Sequence, residues 1–130
     1  MLSRRSFTLL LIGLVVSQFL IVEANQNALI SRRDGNTPLH NAARSGNVEE
    51  AQRLINAGAD VNITNNIGDT PLHVAAYNGR LNAADLLIRN RADMEVRNSH
   101  NFTPIQLAAA NNHRNVVDLL IRRGASTNVE

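Results

Sequence analysis

Thr37-Pro38-Leu39-His40-Asn41-Ala42-Ala43 is rewritten 33 residues later as Thr70-Pro71-Leu72-His73-Val74-Ala75-Ala76, and 33 residues later again as Thr103-Pro104-Ile105-Gln106-Leu107-Ala108-Ala109. A chain self-similar at this period consists of units too small to bury an apolar face alone, so the units must stack. Each copy opens a helix. The Thr hydroxyl can accept from early helical amides, and Pro at the first helical position forfeits no hydrogen bond, because that N–H has no intrahelical acceptor. Leu or Ile and the Ala pair then share one helix face.

Working outward, this first helix is predicted to stop near Gly46, Gly79 and Asn112, residues that tolerate the left-handed backbone of a helix end. A second helix follows, its apolar positions being Val48, Ala51, Leu54 and Ile55, then Leu81, Ala84, Leu87 and Ile88, then Val116, Val117, Leu120 and Ile121. It closes at Gly58-Ala59-Asp60, Arg91-Ala92-Asp93 and Gly124-Ala125-Ser126. The segments Val61 to Asp69 and Met94 to Phe102 are too short and polar for another helix and read as projecting turns.

These residues resemble the ankyrin repeat, through T-P-L-H-x-A-A, the glycine between the helices, and Gly58-Ala59-Asp60-Val61-Asn62. The resemblance covers residues 34–130 and implies an all-α solenoid of stacked helix-turn-helix units with projecting β-turns. Repeats are expected at 34–66, 67–99 and 100–130, with residues 25–33 as a lead or partial cap. Ankyrin repeats share a fold but not a partner, so the resemblance implies protein binding without catalysis and leaves the partner open. The departures bear on stability. Arg91 stands where Gly58 and Gly124 sit, Asn101 replaces a turn glycine, and Gln106 replaces the histidine of the other repeats. Repeat 3 keeps an interior-type second helix with no polar closing helix before Glu130, so this end is expected to self-associate or to be covered by a partner.

Met1-Leu2-Ser3-Arg4-Arg5 is a short basic start, and Phe7 to Val22 is apolar apart from small or polar interruptions. With Val22 and Ala24 placed three and one residues before Asn25, residues 1–24 read as a signal peptide cleaved after Ala24. The apolar stretch is shorter than the roughly 20 residues of a spanning helix, yet retention of residues 7–22 as a marginal membrane anchor is the alternative. Ser3-Arg4-Arg5-Ser6-Phe7 also fits a twin-arginine export signal, whereas the strongly apolar stretch suits the general secretory route. The expected location is therefore exported, periplasmic or secreted.

Charge and composition exclude several functions. The pI near 10.4 reflects an all-arginine basic set with a single tyrosine and no cysteine, because formal net charge is only +2. Arginines are interspersed with acids, with no basic run of the kind that marks a nucleic-acid patch. No cysteine means no disulfide, thiolate nucleophile or Cys-ligated zinc. His40 and His73 are the motif histidines, which the resemblance assigns to hydrogen bonds between neighbouring turns. His100 and His113 lack metal-ligand spacing to them or to each other. No nucleophile has an adjacent base and no glycine-rich phosphate loop follows a strand, so no catalytic, cofactor or metal site is expected.

In a stacked solenoid the turn tips and the exposed side of the first helix make one concave face. That geometry nominates Asn36, Arg44, Ser45, Asn66, Ile67, Asp69, Tyr77, Asn78, Ser99, His100, Phe102 and Asn111 as protein-binding residues, with Tyr77, Phe102 and Ile67 as apolar anchors. Three functional readings follow: an exported module binding a protein partner, a membrane-anchored adaptor or accessory to a membrane or periplasmic enzyme, and a secreted effector engaging host proteins.

Overall fold

Helices of seven to nine residues are too short to persist alone in water, so this chain holds them by packing one pair against the next. The computed structural model describes residues 33–127; the expected signal or anchor segment and most of the lead at 25–33 lie outside them. Six helices are present among the described residues, in three antiparallel pairs and without strands: α1 Pro38–Ser45 and α2 Val48–Asn56, α3 Pro71–Tyr77 and α4 Leu81–Arg89, α5 Pro104–Ala110 and α6 Arg114–Arg122. The first helices stack as α1, α3, α5 and the second as α2, α4, α6, which is the all-α repeat stack expected. None of them is long and apolar enough to cross a membrane.

Leu39, Leu72, Leu87, Leu120 and Val116 are fully enclosed, and Ala42, Ala43, Ala51, Ala75, Ala76, Ala83, Ala84 and Ala108 let the helices approach closely. Ala83, Leu86 and Leu119 are buried as well, beyond the positions picked out by helical period. α4 packs between α2 and α6, so its covered arc is wider than a single face. The period fails at one end of the stack. Ala43 and Ala76 are 1% and 0% exposed, but their counterpart Ala109 is exposed, and Ile121 is 48% exposed.

Two of the three Thr-Pro starts form as expected. Thr37 and Thr70 Oγ1 accept from the amides of His40 and His73 at 3.3 Å. At the third, Gln106 Oε1 accepts from Thr103 N at 3.0 Å, while among the described residues buried Thr103 Oγ1 has no hydrogen-bond partner. Gly79, at φ 67°, closes α3 where a Cβ would stand 2.5 Å from His113 Nδ1, so both backbone and neighbour require glycine.

Arg91 has φ 70°, the left-handed backbone that Gly58 and Gly124 hold at 99° and 96°. A side chain there costs on the order of 1 kcal/mol, offset in part by the greater unfolded-state freedom of glycine. Arg91→Gly should therefore raise the urea midpoint, with a stability gain of about 0.5 kcal/mol. A lowered midpoint would show that the arginine side chain contributes more than its backbone costs.

Candidate functional site

The turn tips are built by asparagine. Asn65 Oδ1 accepts from Ile67 N at 3.1 Å and Asp69 N at 2.9 Å, and Asn98 Oδ1 does the same for His100 N and Phe102 N, both at 3.0 Å. This side-chain acceptor supplements the backbone bonds that close each tip, from Asn65 N to Asp69 O and from Asn98 N to Phe102 O, both at 3.0 Å. Their amides reach back one repeat: Asn65 Nδ2 donates to Asn36 Oδ1 and Asn98 Nδ2 to Asp69 Oδ1, each at 2.8 Å. Backbone bonds add to the ladder, from Asn66 N to Asp34 O at 2.9 Å and from Ser99 N to Ile67 O at 2.8 Å.

Beneath the tips, each motif histidine joins a helix start to the next turn. His40 Nδ1 accepts from Thr37 N at 3.0 Å, and its Nε2 lies 2.8 Å from Asp69 O; His73 repeats this with Thr70 N at 3.1 Å and Phe102 O at 2.9 Å. The backbone N–H fixes Nδ1 as acceptor, so the ring is neutral with its proton on Nε2, which donates to the carbonyl. Both rings are fully buried, and burial lowers both pKa values below the ordinary histidine range, opposed by the hydrogen bonds to Asp69 and Phe102 carbonyls.

Above this frame lies a groove of about 560 Å³ whose walls include Arg44 of α1, the tip residues Asn66 and Ile67, and Val74, Tyr77 and Asn78 of α3. Ile67 is 46% and Tyr77 53% exposed, so both present apolar surface to it. Among the described residues the Arg44 guanidinium donates to Asn41 Oδ1, at 3.2 Å on the surface. The groove gathers seven of the twelve nominated residues: Asn36, Arg44, Asn66, Ile67, Asp69, Tyr77 and Asn78. Ser99, His100 and Phe102 are exposed on the following tip, and Ser45 and Asn111 at the ends of α1 and α5, outside that groove.

Four nominated polar residues have internal duties. Asn36 is only 3% exposed and bonded to Asn65, so it is a strut under the groove and not part of an exposed face. Asp69, half-buried, receives Asn98. Asn78 and Asn111 donate their amides to the carbonyls of Val74 and Leu107 at 2.8 and 2.9 Å, satisfying helix ends. Two residues overlooked by the sequence reading reach across repeats: Arg80 Nε donates to Arg44 O, and His113 Nε2 to Tyr77 O, each at 2.9 Å. Their 33-residue separation was the available signal. Asn62, in the turn after α2, accepts from Asp93 N at 2.7 Å and donates to Arg91 O at 3.3 Å. Among the described residues, no three His, Asp or Glu side chains converge in a way that could hold a metal ion.

With the stack, the asparagine tips and the bridging histidines in view, the family match is direct. A family model for ankyrin repeats in three copies matches residues 13–98 and again residues 53–130. The chain belongs to the ankyrin-repeat family, whose members are generally non-catalytic protein-interaction modules. No curated protein matches it.

The buried imidazoles set a pH response. Their folded pKa values lie below those of the unfolded chain, so the unfolded state binds more protons as pH falls below about 6.5. Stability is full above that value and declines through the window down to the folded pKa values, by at most about 1.4 kcal/mol per pH unit for each ring. A urea midpoint lower at pH 5.5 than at 7.5 is expected. The double substitution of His40 and His73 by Gln, which at position 106 already supplies the acceptor to Thr N–H, should lower stability at pH 7.5 but flatten this dependence. An equally steep dependence in the double variant would assign the titration elsewhere.

Proposed function

We propose that this protein is an exported, non-catalytic interaction module that binds a segment of a protein partner in the groove between the first two turn tips and α1 and α3. The observation that carries this reading is the meeting of two exposed apolar side chains, Ile67 and Tyr77, in one concave groove edged by Arg44, Asn66 and Asn78. Apolar anchors ringed by hydrogen-bonding groups are the usual centre of a protein interface. Both anchors are exposed, so removing them leaves the buried stack intact. Ile67→Ala with Tyr77→Ala should weaken capture of the partner by at least about tenfold while leaving the urea midpoint within about 0.5 kcal/mol of the parent. The control is Thr64→Ala, at an exposed position outside the groove. Unchanged capture by the double variant would remove the groove from the reading.

Export rests on the basic start, the apolar stretch at 7–22 and the small residues before Asn25. Intact mass of the protein from fractionated cells is the test. A species beginning at Asn25 in the soluble exported fraction is the expected result. A full-length species in the membrane fraction would instead support the tethered adaptor, for which the length and hydrophobicity of residues 7–22 are the motivating observation.

A further inference from the structure

Independently of the groove, the forward face of repeat 3 differs from those of repeats 1 and 2. Within the stack, Ala51 and Ala84 are 1% and 0% exposed, and Asp85 Oδ1 receives Arg123 Nη2 of the following repeat at 2.8 Å. The counterparts in α6 are Val117, larger and partly exposed, and Asp118, exposed; among the described residues nothing donates to the Asp118 carboxylate. Ala109 and Ile121 are exposed beside them. A concavity of about 400 Å³ lies here, lined by Ala109, His113, Arg114, Val117 and Asp118.

Arg114, Val117, Asp118 and Ile121 follow i, i+3, i+4, i+7 spacing and so form one stripe of α6. Arg114 and Asp118 make no ion pair with each other, although that spacing is open to them. This stripe is self-complementary. If a second α6 lies antiparallel across it, with the two-fold axis between positions 114 and 118, each Arg114 meets the Asp118 of the other copy, and the two Val117 side chains meet near the axis. A two-fold contact needs this reciprocity, in which i contacts j and j contacts i.

We infer that the forward face of repeat 3 is covered by a second copy of this chain, in a two-fold dimer centred on Val117 and closed by two reciprocal Arg114–Asp118 ion pairs. The absence of native cysteine gives a clean test on the full chain. Val117→Cys should form a disulfide-linked dimer on mild oxidation in cells, at least about tenfold faster than Thr64→Cys in the exposed turn after α2. Adding Arg114→Asp or Asp118→Arg to Val117→Cys sets like charges opposite each other and should reduce the cross-link about tenfold or more, and combining the two swaps should restore it. Circular dichroism of each variant establishes that it is folded. Cross-linking of Val117→Cys no faster than that of Thr64→Cys would overturn the dimer. So would single swaps that leave the cross-link unchanged, or a double swap that fails to restore it, because a different protein or another segment of the chain on this face would not show charge reciprocity.

Discussion

The rest of the structure depends on the buried neutral imidazole of His40 and His73. One ring satisfies the amide at a helix start with Nδ1 and the carbonyl of the next repeat's turn with Nε2, a reach of 29 residues. The amide is buried and the carbonyl partly so, and a buried polar atom left unpaired costs of order 1 to 3 kcal/mol. The ring therefore fixes the register between neighbours as well as closing a local cap. The amides of Asn65 and Asn98 span the same 29 residues on the outside of the turn, so each tip is fixed from below and from behind. A core made largely of Ala and Leu supplies most of the apolar burial but little directional preference, and these polar ties supply the direction.

Gln106 shows what the histidine adds. Its Oε1 still accepts from Thr103 N, so the helix start survives, but Thr103 Oγ1 loses the acceptor that Nδ1 offers Thr37 and Thr70 at 2.9 Å. A linear amide serves one side of the junction, and a ring with nitrogens on opposite edges serves both. The substitution falls in repeat 3, where no following turn lies among the described residues for a second arm to reach.

The repeat period made the fold legible because stacking repeats its hydrogen bonds as well as its apolar positions. Thr-Pro starts, left-handed helix ends at Gly46, Gly79 and Asn112, and the strained backbone of Arg91 and Asn101 could all be read from spacing, since each belongs to a conformation that few residues tolerate. The site was legible in part, and the reason is specific. Asn36, Asp69, Asn78 and Asn111 are polar and sit where a solenoid is exposed, which made them resemble contact residues. A short polar side chain beside a turn or helix end is commonly spent on nearby backbone or a neighbouring turn, and composition does not show where its hydrogen bonds go. Recurrence does. Asn78 and Asn111 stand 33 apart with the same bond, as do Asn65 and Asn98, and Arg80 and His113 share one hooking role.

The same logic separates frame from recognition. A position whose side chain repeats a cross-repeat bond at the period is held by the stack, as at Arg80 and His113, and one whose side chain makes no such bond is released from it. Arg44, Tyr77 and Ala110 occupy one such position, and Ile67 and His100 another; all five are exposed. The groove over repeats 1 and 2 thus combines a cation, an aromatic ring and an aliphatic side chain, whereas repeat 3 offers Ala110 and His100 at the corresponding places. The proposed recognition surface is therefore lopsided toward repeats 1 and 2. Repeat 3 carries its distinctive chemistry on the forward face instead, where Val117 replaces the alanines of the other repeats and Arg114 replaces Val48 and Leu81. Those substitutions enlarge the face where repeats 1 and 2 present Ala51 and Ala84, and add a charge where they present Val48 and Leu81. A further repeat of the same kind would meet an arginine where α2 and α4 present Val48 and Leu81, so the face suits a partner able to answer that charge.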